Sequence, residues 1–383
     1  MTDPQDPQGA QGAQGAPVPG GGPSATLTPH PSQRPHLAAV VEDKIYDVLG
    51  GVLRRLGWRP RVQPFTGLGS PDKVRVLARV LLAPPQAALR DDRRAARRGF
   101  RHFLTVPAPQ NDVRLHLAGR RVEVVTDRSG YVDVEVHLEQ GQHLEPGWQE
   151  VTIEPRDPVR DVVGERAVAP LLVVGPTTRF GVISDVDDTT LVTAVPRPFL
   201  ATWNTFVRHG TSRQPVPGMP ELYRRLRDSH PEAVVVYLSN GAWNTTGALR
   251  EFLSRHRYPS GPLLLTDWGP TLTGWFRSGP QHKGSSLDLL MSRFPQVRWL
   301  LVGDDGQLDP EIYANAVERW PDRVRAVAIR QVGRGAQPVA HDQLDGLLAH
   351  DVPVVRGPDG DALGEHLARI PGVLDNADPG RRP

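Results

Sequence analysis

Residues 180–189 read FGVISDVDDT, and this short stretch decides the fold. Its first half is apolar or small, which is typical of a strand buried on both faces of a parallel sheet. Three carboxylates follow within four positions, those of Asp185, Asp187 and Asp188. Like charges this close repel one another unless a cation lies between them. A buried strand that ends in an acidic cluster predicts a site at the carboxyl edge of an α/β sheet.

The sequence downstream repeats this pattern of buried strand and helix. Strands are predicted near residues 234–238, 263–266, 299–302 and 324–329, with helices near 219–229, 244–256, 284–294 and 310–320. Residues 352–367 read as a strand, a turn and a helix that finish the domain. Because strands that alternate with helices form a parallel sheet covered on both faces, we predict a Rossmann-like α/β domain over residues 177–376.

Polar side chains follow the other predicted strands as well. Ser239 and Asn240 come directly after the second strand. Lys283 precedes a predicted helix and is one of three lysines in a chain whose other 42 basic residues, from a Lys+Arg total of 45, are arginines. This marks Lys283 as a candidate for a task that Arg performs poorly. Three further carboxylates lie just after the strand near 299–302; they belong to Asp304, Asp305 and Asp309.

Together these groups have the composition of a phosphoryl-transfer site. One carboxylate attacks phosphorus, and a second acid two residues on protonates the leaving oxygen and then activates water. Hard oxygen ligands favour Mg²⁺ as the cation between the acids. A hydroxyl and an ammonium neutralise the phosphoryl oxygens in the transition state.

These residues carry a family resemblance. The order DVDDT, strand-end Ser, Lys, and GDD with a following Asp resembles the four motifs of the haloacid dehalogenase superfamily of phosphohydrolases. The stretches PVPGMPELYRRL, HKGSSLDLLMSRFP and GDDGQLDPEIYANAVERWPDRVRAVAIR are similar to the phosphatidate phosphatase catalytic-domain family first known from an actin-patch protein. The resemblance covers residues 60–335 or so, because the region ahead of the sheet is also similar to what precedes this domain in bacterial members. It implies a haloacid dehalogenase-like fold and a phosphatase of lipid metabolism.

The resemblance also implies a role for each motif residue. Asp185 is the implied nucleophile and Asp187 the implied acid and base. The implied phosphate-binding residues are Thr189, Ser239, Asn240 and Lys283. The implied Mg²⁺ ligands are Asp185, the backbone carbonyl of Asp187, and Asp304, with Asp305 or Asp309 completing or orienting the shell. The turn after Ser239 reads SNGAW where the family commonly has SSPW, and this departure leaves substrate preference open.

The inserts around the site are small. One spans residues 193–218 and the other residues 267–281, and neither is large enough for a full lid domain. An open site favours bulky substrates over small metabolites, which fits a lipid phosphate at a membrane surface. The resemblance implies that this substrate is phosphatidate or another lipid phosphate. Two alternatives stay open: a soluble phosphomonoester or phosphoprotein as substrate, and a non-catalytic interaction protein with a vestigial phosphatase fold. A phosphoryl acceptor other than water also stays open.

Three segments precede the α/β domain. Residues 1–34 are Gly, Pro, Gln and Ala with almost no bulky apolar residue, which predicts a disordered tail. Residues 35–58 show helical periodicity and predict an amphipathic helix, either packed or facing a membrane or partner. Residues 59–176 alternate with period two, most clearly in YVDVEVHLE at 131–139, and predict a β-sandwich domain.

Residues 90–101 interrupt that alternation with six arginines. They read as a solvated basic helix or as a patch for lipid headgroups or nucleic acid. Asp91 and Asp92 dilute the patch, and no aromatic stacking platform accompanies it, so nucleic acid is the weaker alternative.

Composition narrows the class of protein further. The 383 residues include 45 Lys+Arg and 43 Asp+Glu, and a formal charge of +2 argues against a nucleic-acid-coating polycation. The absence of cysteine excludes disulfides, thiolate nucleophiles and Cys-based metal sites. The N-terminal residues lack the basic start and apolar block that a secretory leader would show, and no apolar stretch of the sequence approaches the length of a membrane span, so we expect neither feature. We therefore expect a cytoplasmic protein, with peripheral membrane association left open.

Overall fold

The computed structural model describes residues 25–27, 49–84, 106–139, 141–157, 162–192, 214–266, 268–271, 274–276, 279–332 and 351–374. The predicted tail lies outside these residues apart from 25–27, which form a strand. Most of the predicted helix 35–58, all of the Arg-rich segment 90–101 and most of the insert 193–218 also lie outside them.

Eleven strands of the described residues form one mixed sheet in the β-rich domain. They are β1 Ala25–Leu27, β2 Arg59–Pro64, β3 Gly67–Ser70, β4 Lys73–Ala83, β5 Val106–Pro107, β6 Asp112–Leu117, β7 Arg120–Val125, β8 Tyr131–His137, β9 Gly147–Asp157, β10 Val162–Val163 and β11 Ala167–Val173. The main path runs β1-β8-β4-β3-β11-β9-β6-β7, with β2 and β5 paired to β4 and β10 paired to β9. The alternation in β8 buries Val132, Val134 and Val136.

This sheet differs from a sandwich of two separate sheets because a parallel pair, β3 and β11, joins its halves. Val76 of β4, Leu115 of β6 and Ile153 of β9 nevertheless share one core. Gly67 of β3 makes the junction possible. A Cβ at Gly67 would lie 2.7 Å from the carbonyl oxygen of Arg75 and 2.8 Å from Cδ1 of Leu171, so only glycine allows this approach.

The helical residues 49–55 pack against the β-rich domain. Leu53 contacts its core, and the guanidinium of Arg54 lies 3.4 Å from the buried carboxylate of Asp157. Leu49, Val52 and Leu56 are exposed.

The α/β domain contains six parallel strands among the described residues. They are β12 Phe180–Asp185, β13 Val234–Ala242, β14 Leu263–Thr266, β17 Arg298–Asp304, β18 Val324–Arg330 and β19 Val354–Gly357. The helices are α1 Met219–Ser229, α2 Thr246–Arg255, α3 Gly279–Arg293, α4 Asp309–Arg319 and α5 Gly360–Leu367, with 3₁₀ turns at Trp243–Thr245 and Pro321–Arg323. A two-stranded antiparallel pair, β15 Trp268–Thr271 and β16 Gly274–Phe276, lies in the insert before α3.

The strand order places the site. The sheet reads β14-β13-β12-β17-β18-β19, so the chain runs outward from β12 in one direction and then returns to β17 on the other side of β12. Such a reversal opens a crevice at the carboxyl ends of the two central strands. All six residues of β12 are buried, and Val182 and Ile183 pack into cores on opposite faces of the sheet. The predicted doubly covered parallel sheet is confirmed.

No helix of the described residues is both long enough and apolar enough to cross a membrane.

Candidate active site

The two central strands bring their last residues together. Asp185 ends β12 and Asp304 ends β17, and these strands pair in parallel with Ser184 opposite Val302. Asp309 begins α4, and Lys283 lies on α3. Residues that are far apart in sequence therefore meet at the crevice where the strand order reverses.

These four side chains form a buried charge cluster. The Nζ of Lys283 lies 2.6 Å from Oδ1 of Asp185 and 2.5 Å from Oδ1 of Asp309. One carboxylate oxygen each from Asp185, Asp304 and Asp309 lies within 4.8 Å of the other two. The three acids are 0% exposed and Lys283 is 1% exposed, so three carboxylates share one ammonium away from water.

Burial sets the protonation of this cluster. Burial raises the pKa of Asp185 well above the usual carboxyl range; Lys283 opposes that shift, and Asp309 and Asp304 add to it. Burial likewise raises the pKa of Asp304, with a further rise from Asp309. Burial alone would lower the pKa of Lys283, but Asp185 and Asp309 outweigh it and raise that pKa above its ordinary value. Lys283 is therefore a charged ammonium, and the raised pKa values of Asp185 and Asp304 mean that burial and mutual repulsion disfavour the ionised form of these acids when no cation is bound.

The composition of this cluster fits a hard divalent cation. The Oδ2 atoms of Asp185 and Asp304 are buried and accept no hydrogen bond from the described residues. Buried carboxylate oxygens without partners are costly unless a cation satisfies them. Carboxylate oxygens are the ligands that Mg²⁺ prefers. The cluster could therefore hold such an ion with the oxygens that the protein leaves unsatisfied.

The two acids that follow Asp304 have different surroundings. Asp305 turns toward the chain after β18, where its Oδ1 accepts a hydrogen bond from the backbone N–H of Val332 at 2.8 Å. Asp309 contributes an oxygen to the acidic cluster, whereas Asp305 does not. The sequence left both residues open as the last member of the metal shell, and the geometry favours Asp309.

Glycine at position 303 allows α4 to approach β17. A Cβ at Gly303 would lie 2.7 Å from Oδ2 of Asp309 and 2.8 Å from Cε2 of Tyr313. Any side chain here would push Asp309 away from the cluster. The glycine of the GDD motif is thus part of the site's geometry.

Asp187 and Ser239 face one another across the crevice. The Ser239 hydroxyl donates to Oδ2 of Asp187 at 2.9 Å and accepts from the backbone N–H of Gly241 at 2.9 Å. Asp187 is half-buried, unlike Asp185. The next residue, Asp188, has a φ of 57°, which turns the chain sharply after the acid.

The segment after Leu238 is a bulge inside a strand, where the sequence suggested a turn. β13 continues to Ala242, and its register with β14 shifts between Leu238 and Ala242. The Thr266 hydroxyl, at the end of β14, donates to the carbonyl oxygen of Asn240 at 2.8 Å. The carbonyl oxygen of Gly241 lies 3.2 Å from the same hydroxyl. Bulges beside active sites re-aim side chains, and this one sets the direction of Ser239 and Asn240.

Thr189 is fully buried beside these loops. Its Oγ1 makes no hydrogen bond with the described residues. It is therefore available for a polar group that enters the crevice.

Sequence reasoning missed several supporting residues. The Tyr223 hydroxyl of α1 donates to Oγ of Ser184, which in turn donates to the carbonyl oxygen of Asp185 at 2.6 Å. Arg330, the last residue of β18, donates to the carbonyl oxygen of Asp188 at 2.5 Å. Arg330 could have been found because it ends a strand of the sheet. Tyr223 gives no such signal, since it occupies an apolar position of an amphipathic helix.

Comparison with known proteins gives one family and two curated relatives. Residues 180–331 match the family model described as phosphatidate phosphatase APP1, catalytic domain. Phosphatidate phosphatase APP1 of Saccharomyces cerevisiae is 27% identical over 165 residues, which cover 43% of this chain and 28% of that protein. An uncharacterized protein of Schizosaccharomyces pombe is 26% identical over 152 residues, which cover 39% of this chain and 25% of that protein. The matched segment thus spans only 28% and 25% of the length of these relatives.

Two solved structures match part of the chain at low similarity. The HAD domain of effector protein Lem4 from Legionella pneumophila is 16% identical, with a TM-score of 0.29, and the match covers 45% of this chain and 95% of that one. A phospho-aspartyl intermediate analogue of phosphoserine phosphatase is 10% identical, with a TM-score of 0.30, and the match covers 50% of this chain and 99% of that one.

Proposed function

We propose that the chain, whose residues 180–331 match the phosphatidate phosphatase APP1 catalytic-domain family model, is a Mg²⁺-dependent phosphomonoester hydrolase. One observation carries the proposal: Asp185, Asp304 and Asp309 share a buried pocket with the ammonium of Lys283. A metal dication and a phosphoryl group are the two ligands that would use such a pocket, one through its acids and the other through its ammonium.

We assign the covalent step to Asp185. A carboxylate oxygen of Asp185 forms a bond to phosphorus while the bond from phosphorus to the leaving oxygen breaks. Asp187 gives its proton to that oxygen, so the alcohol leaves neutral. Asp187 then takes a proton from water, whose oxygen attacks phosphorus and releases phosphate and free Asp185. The half-buried position of Asp187 beside Ser239 suits a group that exchanges protons with substrate and water.

The remaining polar residues bind and orient in this proposal. Asp185, Asp304, Asp309 and the carbonyl of Asp187 would hold Mg²⁺, which supplies positive charge beside the phosphoryl group. Lys283, Ser239, Asn240 and Thr189 would neutralise the phosphoryl oxygens, most strongly in the transition state. Asp305 would orient the loop between β17 and α4 through its bond to Val332.

We propose phosphatidate or another lipid phosphate as the substrate class. The support is the family of the catalytic domain, together with a curated relative named for phosphatidate. A lipid substrate requires the chain to work at a membrane surface, which we place on the cytoplasmic side. We also propose that residues 59–176 and 177–376 are the two domains of this enzyme.

A substrate and metal matrix tests the proposal. Phosphatidate in mixed micelles, p-nitrophenyl phosphate and a sugar phosphate are each assayed with Mg²⁺ and with EDTA. We expect the wild type to release phosphate from phosphatidate only when Mg²⁺ is present. Asp185→Asn should lose all of this activity, and the matched variant Asp305→Asn should keep most of it. Hydrolysis of the sugar phosphate alone would contradict the lipid substrate but not the chemistry. No Mg²⁺-dependent hydrolysis of any of the three would contradict the hydrolase itself.

A further inference from the structure

The β-rich domain contacts the phosphate-binding side of the crevice. Phe65 lies between β2 and β3, and its ring centroid is 4.6 Å from that of Trp243. Phe65 is 1% exposed and Trp243 is 8% exposed, so the pair is sealed from water. Trp243 is the first residue after β13, the strand whose bulge carries Ser239 and Asn240, and it begins the following 3₁₀ turn. The aromatic pair therefore fixes the downstream end of that bulge.

A polar contact lies beside the aromatic pair. The guanidinium of Arg250, on α2, donates through Nη2 to Oγ1 of Thr66 at 2.6 Å. Thr66 is buried and follows Phe65 in the chain. The contacts of Phe65 and Thr66 thus reach the 3₁₀ turn Trp243–Thr245 and the middle of α2, the helix that follows this turn.

The interface is a shared hydrophobic core. Leu77 of β4 and Tyr131 of β8 pack in the same cluster as Leu249 and Phe252 of α2. Removing Phe65 would open a cavity at the centre of this cluster, next to Trp243. The surroundings of such a cavity relax only partly, so Trp243 would lose packing on the side that Phe65 covers.

A second contact reaches the helix of Lys283. Arg293, on α3, forms an ion pair with Glu135 of β8, and Lys73 of β4 lies 2.6 Å from the same carboxylate. The β-rich domain thus contacts α2 and α3, the helices that follow Ser239 and carry Lys283. The β-rich domain also packs against β12, because Phe180 and Val182 lie in the cluster of Phe65. Asp185 and Asp304 nevertheless end strands that are held by pairing within the parallel sheet, whereas Ser239 and Asn240 lie on an irregular segment.

From this division we infer that the β-rich domain positions the phosphate-binding half of the site, with Phe65 and Thr66 as positioning residues. The inference rests on the proposed function. It predicts that weakening the interface loosens phosphate binding while the metal-binding carboxylates keep their geometry.

The test compares Phe65→Ala with a matched core variant. Leu115→Ala removes a fully buried side chain from the β-rich core, away from α2. We expect Phe65→Ala to raise both KM for p-nitrophenyl phosphate and the inhibition constant of orthovanadate about tenfold, since small misplacements of binding groups cost this much. The Mg²⁺ concentration for half-maximal activity should stay at the wild-type value, because the pairing of β12 and β17 holds Asp185 and Asp304. Phe65→Leu, which refills most of the volume, should restore KM, and Leu115→Ala should leave it unchanged.

Hydrogen exchange gives a readout that does not need activity. The backbone amides of residues 239–246 should exchange faster in Phe65→Ala than in the wild type or in Leu115→Ala. Equal exchange in Phe65→Ala and Leu115→Ala, or an equal rise of KM in both, would overturn the inference. An inactive wild type whose exchange still responds to Phe65→Ala would contradict the proposed function and leave the positioning role standing.

Discussion

At the scale of single residues, the site is an unbalanced set of charges. Three buried carboxylates face one buried ammonium, and the Oδ2 atoms of two of the acids accept no hydrogen bond from the described residues. A lysine suits this place better than an arginine, because a compact ammonium can contact Asp185 and Asp309 at once in a space without water. The imbalance stores a cost in the metal-free protein that binding of a cation would relieve.

Neutralising one acid should stabilise the metal-free protein. In Asp304→Asn the repulsion between Asp304 and Asp309 disappears, and we expect the free energy of unfolding in EDTA to rise by about 1 kcal/mol. We expect Mg²⁺ to raise the melting temperature of the wild type, and the variant should lose this rise. Differential scanning calorimetry with EDTA and with Mg²⁺ measures both effects.

Asp305→Asn is the control for this measurement, because the amide oxygen of the substituted side chain can still accept the bond from Val332. It should respond to Mg²⁺ as the wild type does. A normal Mg²⁺ response in Asp304→Asn, or its loss in Asp305→Asn, would contradict the assignment of the cluster.

Removing the ammonium should have the opposite effect. Lys283→Met leaves Asp185 and Asp309 without their cation, and breaking a buried ion pair in this way costs about 3–5 kcal/mol. Lys283→Arg keeps the charge but must fit a larger, planar group into a site that is 1% exposed. We expect both variants to lose activity and Lys283→Met to be the less stable in EDTA. Urea unfolding of the two variants checks this order, and a Lys283→Met protein as stable as the wild type would contradict the ion-pair geometry.

At the scale of elements, the sequence predicted the strands and helices well where periodicity is strong. The spans near 263–266 and 219–229 agree with β14 and α1, because buried strands and amphipathic helices leave clear patterns. The bulge in β13 was not predictable, since Ser-Asn-Gly has the composition of a turn and only the pairing with β14 reveals a strand. The contact between Lys283 and Asp309 was equally hidden, because it depends on how α3 and α4 pack.

The bulge should depend on the hydroxyl of Thr266. Thr266→Val keeps the shape but removes the hydrogen bond to the half-buried carbonyl oxygen of Asn240, a loss of about 0.5–1.5 kcal/mol. We expect a higher KM for p-nitrophenyl phosphate and an unchanged requirement for Mg²⁺. Thr266→Ser keeps the donor and should behave as the wild type. Steady-state kinetics of the two variants measure this effect. An equal rise of KM in Thr266→Val and Thr266→Ser would contradict the role of the hydroxyl in shaping the bulge.

At the scale of the whole molecule, the two sheets share a core. The family resemblance read from DVDDT, Lys283 and GDD is confirmed for residues 180–331, and the roles of the individual site residues stay predictions. The packing of Phe65 on Trp243 left no trace in the sequence, because neither residue lies in a periodic pattern that points to the other domain. Contacts between domains depend on three-dimensional complementarity, which a single sequence does not reveal.

The shared core predicts that the two sheets unfold together. Phe65, Leu77 and Tyr131 belong to the same buried cluster as Phe180, Trp243 and Phe252, so separating the domains would expose large aromatic surfaces to water. We expect a single calorimetric transition whose calorimetric and van't Hoff enthalpies agree. If the acidic cluster of the folded form binds Mg²⁺ as proposed, the ion at 100 times its dissociation constant should stabilise that whole transition by about 2.7 kcal/mol. Hydrogen exchange in β4 and β8 should slow with Mg²⁺ as well, although neither strand carries a proposed ligand. Two transitions, of which only one responds to Mg²⁺, would show instead that the β-rich domain folds independently of the site.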